Sequence, residues 1–319
     1  MSLYQRLKNL LSGAKTLGER SVELMAPQLA GCIICGKAVS QAVNINSTRA
    51  QGSFSILNRS LCAKCLYSIP WLDSIVCPIC GRGTECPDCS RMSRRSFLYN
   101  RSAVAYDSVM REWLAQYKYR GNERLAPLLA EMLLPALVKL AGEAKRRLEG
   151  PCHPLPGKST VSGQTFSKLS LLRNHENDNL WQSWDAITYV PISAERAEER
   201  GFNQAEQMAV HLSSTLRIPL YELLIRPKHS GKMSFKSRAE RIRGSQSLFE
   251  ANAIAVCSLL GTSSIGSHVH QPSLKQAPLN IVLVDDIYTT GSTAQSCASA
   301  LKNSIVRPIN VYVLTWARS

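Results

Sequence analysis

The sequence predicts an α/β fold in which a parallel sheet flanked by helices follows a small Cys-rich module. The apolar runs at residues 186–190 and 279–284 each precede a segment with helical periodicity. A strand-then-helix order repeated along a chain is typical of a parallel sheet. Four Cys-x-x-Cys pairs near the amino terminus predict the separate module, because this spacing suits metal-binding turns.

Length and charge limit the classes of protein to be considered. The 319 residues are 45% hydrophobic and 19% charged, which is typical of a globular protein with one substantial core and a smaller accessory module. The net charge of +15 favours a polyanionic partner: nucleic acid, a phosphorylated small molecule or an anionic membrane surface. No apolar stretch reaches the roughly 20 residues of a membrane span, and the amino terminus lacks the apolar core of a secretory signal. We therefore expect a cytoplasmic protein.

Eight of the eleven cysteines form the four Cys-x-x-Cys pairs between positions 32 and 89. Each pair points two thiolates at a common centre, so two pairs complete a tetrahedral Zn²⁺ site. Four pairs predict two closed, structural zinc sites, and redox thiols or disulfides are the alternative. We favour sequential pairing, in which the first Cys-x-x-Cys pair shares a metal with the second and the third pair with the fourth. The alternative is a cross-brace, in which the first pair shares a metal with the third. The predicted ligands are Cys32, Cys35, Cys62, Cys65, Cys77, Cys80, Cys86 and Cys89.

The chain divides into three predicted regions. Residues 1–30 have helical periodicity with basic residues off the apolar face, which indicates an amphipathic helix that packs on the protein or docks on a membrane or partner. Residues 31–95 form the zinc module and residues 96–319 the α/β domain. Two segments without a sustained period, at about 150–183 and 251–278, are interpreted as insertions.

The α/β domain begins with a predicted strand at 102–106, where small and β-prone residues follow one another. Helical patterns cover 108–118 and 122–148; Pro127 suits a first turn, whereas Pro135 is expected to kink or break the second helix. The remaining predicted elements are strand 186–190, helix 203–216, strand 279–284, helix 292–303 and strand 309–314.

Two adjacent carboxylates, Asp285 and Asp286, stand at the carboxyl end of the strongest predicted strand. Neighbouring acids can accept hydrogen bonds from the two hydroxyls of a ribose, and hydroxyls and amides at a helix amino terminus can bind phosphate. The combination predicts a site for a ribose 5-phosphate; metal ligation and helix capping are the alternatives for the acids. The predicted phosphate-binding turn consists of Thr289, Thr290, Gly291, Ser292 and Thr293.

The run at 281–293 resembles the ribose-phosphate signature of type I phosphoribosyltransferases, which use phosphoribosyl pyrophosphate (PRPP). Other segments are similar to the ComF family in particular. They are the Lys-Tyr-Arg-Gly segment at 118–121, Val190-Pro191 with Arg196, the Arg-Gly-Phe-Asn-Gln block at 200–204, the stretch from Glu240-Arg241 to Phe249, and the Cys pairs, which resemble that family's double zinc ribbon. The chain departs from the family pattern at Met233 and Gly244, on the acceptor side.

This resemblance implies a type I phosphoribosyltransferase-like sheet, a double zinc ribbon, and binding of PRPP together with Mg²⁺. Catalysis in such enzymes is mostly positioning and neutralisation of charge. By resemblance, Asp285 and Asp286 hold the ribose hydroxyls and are the candidate catalytic residues, and the turn at 289–293 holds the 5-phosphate. The basic side chains implied for the pyrophosphate are Lys118, Arg196, Arg200 and Arg241.

A second basic feature is the segment 226–243, in which Glu240 is the single acid. Such a strip can follow a nucleic-acid backbone without reading its sequence. A loop that closes over PRPP is the alternative interpretation, and the same residues can serve both purposes. The predicted nucleic-acid-binding residues are Arg226, Lys228, Lys232, Lys236, Arg238, Arg241 and Arg243.

The ComF resemblance implies a role in natural transformation, in which the protein handles incoming single-stranded DNA on the cytoplasmic side of the inner membrane. The implied partners are PRPP, single-stranded DNA, a DNA-uptake helicase and inner-membrane channel proteins, and the implied location is cytoplasmic or peripheral at that membrane. Two alternatives stay open: an active phosphoribosyltransferase that transfers phosphoribose to a nucleobase or amine, and a zinc-ribbon regulator or adaptor. The residues do not decide whether the transferase site turns over or works as a sensor.

Overall fold

The structure is a computed structural model that describes residues 31–39, 55–91, 94–148, 181–227, 248–261 and 277–319. Its centre is a four-stranded sheet whose neighbouring strands are all parallel. In spatial order the strands are β1 (Asn100–Ala105), β6 (Ile309–Arg318), β5 (Leu279–Tyr288) and β2 (Ala186–Tyr189). The predicted parallel sheet is therefore confirmed. Two short strands, β3 (Leu224–Ile225) and β4 (Glu250–Ala251), form a separate antiparallel pair.

Four of the helices in the described ranges occupy the positions that periodicity predicts, with small changes at their ends, and five were not predicted. The helices of these ranges are α1 (Ser55–Ser60), α2 (Ala63–Tyr67), α3 (Pro87–Arg91), α4 (Ser108–Tyr119), α5 (Ala126–Leu148), α6 (Ala194–Arg200), α7 (Gln204–Leu216), α8 (Ala253–Leu260) and α9 (Ser292–Ser304). Side-chain caps fix four of these starts. Asp107 accepts a hydrogen bond from the backbone of Met110, and Asn203 accepts from Ala205 and Glu206. Ser193 and Asn252 cap α6 and α8 in the same way.

Strand β5 is longer than predicted. The sequence pattern ends at Val284, yet the strand continues through both acids to Tyr288, because β6 also extends beyond its predicted end and supplies partners. Asp285 lies opposite Thr315, and Tyr288 lies opposite Arg318. Polar residues therefore pair within the sheet at the carboxyl ends of β5 and β6. A search for apolar runs alone does not find these strand residues.

Helix α5 runs through Pro135 without a break, so the predicted break is wrong. Packing on the sheet compensates for the lost backbone hydrogen bond: Leu133, Leu137 and Leu140 are fully buried, and the helix contacts β1 and β6. Among the described residues, this is the one helix long and apolar enough to cross a membrane by length and composition. Since 72% of its most apolar window is buried inside the protein, its surroundings are those of a core helix.

Side chains of β5 alternate between two cores, as the period of a strand requires. Val282 and Val284 point into the first core, which α5 and α7 cover. Ile281 and Leu283 point into the second core, which α9 covers. The Cys-rich module is divided between the same two cores: Cys32, Cys62 and Cys65 pack in the first, and Cys77, Cys80 and Cys89 in the second.

Several features of the sequence analysis lie outside the described residues. They are the amphipathic helix at 1–30, most of the segment interpreted as an insertion at 150–183, the basic residues at 228–243, and residues 262–276. Part of the second segment interpreted as an insertion is described and contains α8, whose Val256 packs in the second core.

Candidate functional site

The eight predicted zinc ligands gather into two groups of four. Cluster 1 consists of Cys32, Cys35, Cys62 and Cys65, and cluster 2 consists of Cys77, Cys80, Cys86 and Cys89. Within each cluster the four sulfur atoms lie within 4.8 Å of one another. Each pair of successive knuckles therefore meets at one point, which agrees with the sequential pairing and not with a cross-brace.

The sulfur geometry fits a tetrahedral metal ion. Cys35 Sγ and Cys62 Sγ are 3.6 Å apart in cluster 1, and Cys80 Sγ and Cys86 Sγ are 3.6 Å apart in cluster 2. A tetrahedron with Zn–S bonds of about 2.3 Å has an edge of roughly 3.8 Å. Burial raises the pKa of Cys65 and of Cys89, and hydrogen bonds that their thiols donate to neighbouring sulfurs add to both shifts. A divalent cation at each centre would offset these effects and hold the thiolates together.

The two predicted ribose-binding acids lie on β5 and differ in their surroundings. The backbone N–H of Asp286 donates to Asp285 Oδ1 at 2.8 Å. Burial, and then the charge of Asp286, raise the pKa of Asp285 to about 8. Asp286 instead forms an ion pair with Lys118 Nζ from the last turn of α4. The pair therefore offers one carboxyl that readily keeps a proton and one that is held by a cation.

The predicted phosphate turn follows directly and opens α9. Thr289 and Thr290 are exposed, and Thr290 Oγ1 accepts a hydrogen bond from the backbone of Ser292 at 3.4 Å. Gly291 has φ +86°, and a Cβ at this position would overlap the hydroxyl of Tyr288. Glycine is therefore required both by the backbone conformation and by the close approach of the ring.

A small cleft, open to solvent, lies between this turn and the sheet. Its lining includes Asp285, Thr289, Gly291, Thr293 and Thr315 of β6. The cleft therefore joins one acid, the hydroxyl turn and the amino-terminal end of α9, which are the groups that a phosphorylated sugar needs.

Basic side chains approach this edge from two segments that are distant in the sequence. Arg200 ends α6, donates to Gln204 Oε1 at 2.9 Å and stacks over the ring of Tyr119 at 5.3 Å. Next to this contact, the rings of Tyr117 and Phe202 pack 5.2 Å apart. The structure thus brings together the segments at 118–121 and 200–204.

The other predicted basic residues are less closely tied to the acids. Arg196 lies on the exposed face of α6. Of the seven residues predicted to bind nucleic acid, only Arg226 lies in the described part of the chain, where it stacks over the ring of Phe249 at 5.6 Å. The remaining six, and Arg241 as a pyrophosphate ligand, stay predictions.

Sequence reasoning missed several residues that the structure places at this site. Thr315 and Arg318 lie on the extension of β6, beyond the predicted strand end at 314. The signal that could have found them is parallel pairing: if β5 continues through the acids, its neighbour must continue as well. Tyr288 and the exposed Tyr119 lie in segments that carry the family resemblance, but neither ring was predicted as a site residue, since those patterns assign no role to a tyrosine side chain.

Comparisons with known proteins agree with these motifs. The competence protein ComFC of Bacillus subtilis is 26% identical over 279 residues, which cover 85% of this chain and 88% of the relative. ComFC of Streptococcus pneumoniae is 20% identical over 291 residues, which cover 89% and 98% of the two chains. The names of these relatives agree with the resemblance to the ComF family. Competence protein F of Haemophilus influenzae is 32% identical over 135 residues, 42% of this chain and 51% of the relative. No family model and no solved structure matches the chain significantly.

The structure gives the separate motifs of the ComF resemblance a common location. The acids at 285–286 and the turn at 289–293 end one strand, Lys118 reaches the acids from α4, and the block at 200–204 contacts Tyr119 next to Lys118. The four motif segments therefore lie around one edge of the sheet, where ligands of open parallel sheets are commonly bound.

Proposed function

We propose that this chain binds PRPP at the cleft beside β5 and acts in natural competence, where it handles incoming single-stranded DNA at the cytoplasmic side of the inner membrane. The observation that carries the proposal is the placement of Asp285 and Asp286 directly before a hydroxyl-rich turn at a helix amino terminus, with Lys118 paired to the second acid. The names of the relatives, which are competence proteins, support the cellular role.

In this proposal each side chain has a specific task. Asp286 accepts a hydrogen bond from a ribose hydroxyl, while Asp285, whose pKa is raised to about 8, can keep its proton and donate to the neighbouring hydroxyl. The turn at 289–293 binds the 5-phosphate through hydroxyls and amides. Lys118 and Arg200 supply positive charge for the pyrophosphate, and Mg²⁺ bound with PRPP would neutralise part of the same charge.

Titration calorimetry with Mg²⁺ and PRPP tests the site. The zinc-loaded wild type is expected to give saturable binding, and Asp285→Asn/Asp286→Asn is expected to lose it. The matched control is Glu198→Gln/Glu199→Gln, which also removes two adjacent carboxylates but from the exposed face of α6. Equal effects of the two double variants would show that net charge matters and the cleft does not.

The DNA part of the proposal has its own test. Fluorescence anisotropy with a labelled single-stranded oligonucleotide should show salt-dependent binding, which Lys232→Ala/Lys236→Ala/Arg238→Ala weakens. If the oligonucleotide changes the affinity for PRPP, PRPP must change the affinity for DNA by the same factor. PRPP binding without any DNA binding would contradict the DNA-handling role, while the proposed PRPP site would stand.

One observation favours a second candidate function, an active phosphoribosyltransferase that transfers phosphoribose to a nucleobase or amine. The ring of Tyr119 is 64% exposed and lies on the guanidinium of Arg200, and an exposed aromatic ring beside the site can stack an acceptor base. Release of pyrophosphate from PRPP in the presence of a panel of bases tests this candidate. A chain that binds neither PRPP nor DNA would instead support the zinc-ribbon regulator or adaptor.

A further inference from the structure

One buried side chain contacts both a predicted metal cluster and the predicted phosphate turn. Arg318 ends β6, is 5% exposed and lies opposite Tyr288 in the sheet. Its Nη1 donates to the carbonyl oxygens of Tyr288 at 3.1 Å and of Thr289 at 2.8 Å. Its Nη2 donates to Cys80 Sγ, a member of cluster 2, at 3.8 Å.

The planar guanidinium makes this connection rigid. Arginine presents its donors in a fixed fork, so the two carbonyls on one side and the sulfur on the other are held in one relative arrangement. The same guanidinium stacks over the ring of Tyr288 at 4.9 Å, and that ring limits the space at Gly291. A metal-bound thiolate is held in a fixed position and accepts the hydrogen bond of such an outer-shell donor. The guanidinium is then fixed as well, together with the two carbonyl groups that it binds.

A second chain of hydrogen bonds joins cluster 2 to Thr315, which lines the cleft. Asn100 Nδ2 donates to the carbonyl oxygen of Cys80 at 3.0 Å, and Thr315 Oγ1 donates to Asn100 Oδ1 at 3.2 Å. Thr315 lines the cleft and lies opposite Asp285. The two connections are independent, because they leave Cys80 from its sulfur and from its backbone.

Cluster 1 is attached to a different part of the protein. Its buried cysteines pack in the first core, and the neighbouring helix α1 is held by Glu131 of α5, which accepts hydrogen bonds from the backbone of Ile56 at 3.2 Å and of Leu57 at 2.7 Å. These contacts lead to the face of the sheet away from α9. Cluster 1 therefore serves as an internal comparison for cluster 2.

We infer that Arg318 is a positioning residue that ties the phosphate turn to cluster 2, so that the metal at cluster 2, and not the metal at cluster 1, sets the geometry of the PRPP site. The identity of the ligand as PRPP rests on the proposed function, whereas the coupling between cluster 2 and the phosphate turn does not. By linkage, PRPP must raise the affinity of cluster 2 for its metal by the same factor by which this metal strengthens PRPP binding.

Hydrogen–deuterium exchange without PRPP tests the coupling. In zinc-loaded Arg318→Met we expect two amides that hold the turn to exchange about tenfold faster than in the wild type, because local opening has become easier. They are the amides of Ser292, which donates to Thr290 Oγ1, and of Gln295, which donates to the carbonyl oxygen of Gly291. The matched control is Arg307→Met, since Arg307 also donates to a carbonyl, that of Ala277 at 2.7 Å, but near the opposite end of β6. Zinc content is measured for every variant, and two ions per chain must remain for the comparison to report on Arg318.

Removal of metal from the wild type gives a second test that needs no variant. A chelator withdraws zinc, and alkylation of free thiols identifies the cluster that has lost it. Loss from cluster 2 should speed exchange of the Ser292 and Gln295 amides to the level seen in Arg318→Met and should add little in that variant. Loss from cluster 1 should leave both amides as protected as in the zinc-loaded wild type. Unchanged exchange in Arg318→Met, or a protected turn after loss of metal from cluster 2, would overturn the inference.

PRPP titration separates this inference from the proposed function. Arg318→Met should bind Mg²⁺ and PRPP about tenfold more weakly than the wild type, in line with the expected loss of a positioned site. If the wild type binds no PRPP while the exchange results hold, the proposed ligand is wrong and the coupling stands. If Arg318→Met binds PRPP like the wild type and its turn is protected, the positioning role is wrong and the ligand stands.

Discussion

The ammonium group of Lys118 forms an ion pair with the carboxylate of Asp286. This contact joins the carboxyl-terminal turn of α4 to the end of β5, and it connects two motifs that are far apart in the chain. Both side chains are largely buried, with 13% and 20% of their surfaces exposed. A buried lysine beside the acid pair is placed to hold the acid in position before an anionic ligand arrives.

Replacement of this lysine should weaken PRPP binding specifically. We expect Lys118→Met to lower the affinity for Mg²⁺ and PRPP at least about tenfold, because it removes one positive charge from a partly desolvated site. Calorimetry measures the change. Arg120→Met is the control, since Arg120 is two residues away but exposed, in a surface ion pair with Glu112; equal losses in both variants would contradict a specific role for Lys118.

The raised pKa of Asp285 predicts a pH dependence of stability. An aspartate in an unfolded chain titrates at about 3.9, and burial, then the charge of Asp286, raise the pKa to about 8 in the folded protein. The folded state therefore binds this proton more tightly, so the contribution of Asp285 to stability is complete below about pH 4 and is lost as the pH rises to about 8.

Asp285→Asn removes this titration and serves as the comparison. Relative to the wild type, the variant should gain free energy of unfolding as the pH rises from about 6 to about 8, the upper part of the window in which the linkage acts. Urea unfolding at several pH values measures the difference. A difference that stays constant over this range would show that Asp285 does not keep its proton in the folded state.

Gly291 provides a prediction about the shape of the turn. Gly291→Ala should lower the free energy of unfolding by about 2 kcal/mol or more, because it combines a positive φ with an overlap at the Tyr288 hydroxyl. Gly261→Ala is the control: its φ is +67° but a Cβ there meets nothing within 4 Å, so only the backbone cost of about 1 kcal/mol is expected.

The overlap has its own check by denaturant unfolding. Adding Tyr288→Phe to Gly291→Ala should restore part of the lost stability, since the hydroxyl is the atom in closest conflict and is buried without a hydrogen-bond partner among the described residues. If the second substitution only adds to the loss, the close approach is not what excludes alanine at 291.

The two cysteine clusters predict a metal count. Elemental analysis of the purified protein should find two zinc ions per chain, one for each group of four sulfurs. Cys35→Ser, at the one exposed ligand of cluster 1, should reduce the count to about one, because a closed site with three thiolates binds zinc far more weakly. A wild type that holds fewer than two ions would contradict the assignment of two closed sites.

Much of the fold was predictable because the strongest signals are local. Apolar runs with few interruptions found β2, β5 and β6, and the helical period found α4, α7 and α9. Asn203, the first residue of the predicted helix 203–216, caps this helix, and its side chain accepts two backbone hydrogen bonds. The spacing of the cysteine pairs indicated the clusters, since the geometry of a Cys-x-x-Cys turn is nearly independent of the rest of the fold.

The errors arise where tertiary contacts override local preference. Pro135 continues α5 because the helix is buried against the sheet, which no local rule detects. The polar ends of β5 and β6 are strand because each supplies the partner of the other. Arg318 could not be assigned from its own sequence context, because its role depends on the distance between Cys80 and Thr289, which only the folded chain defines.

A structure of the zinc-loaded protein with Mg²⁺ and PRPP would test the proposed ligand site. We expect the ribose hydroxyls on the carboxyl groups of Asp285 and Asp286, with the 5-phosphate on the hydroxyls and amides of the turn at 289–293. A complex in which PRPP lies elsewhere on the protein, or leaves these two acids free of contact, would contradict it.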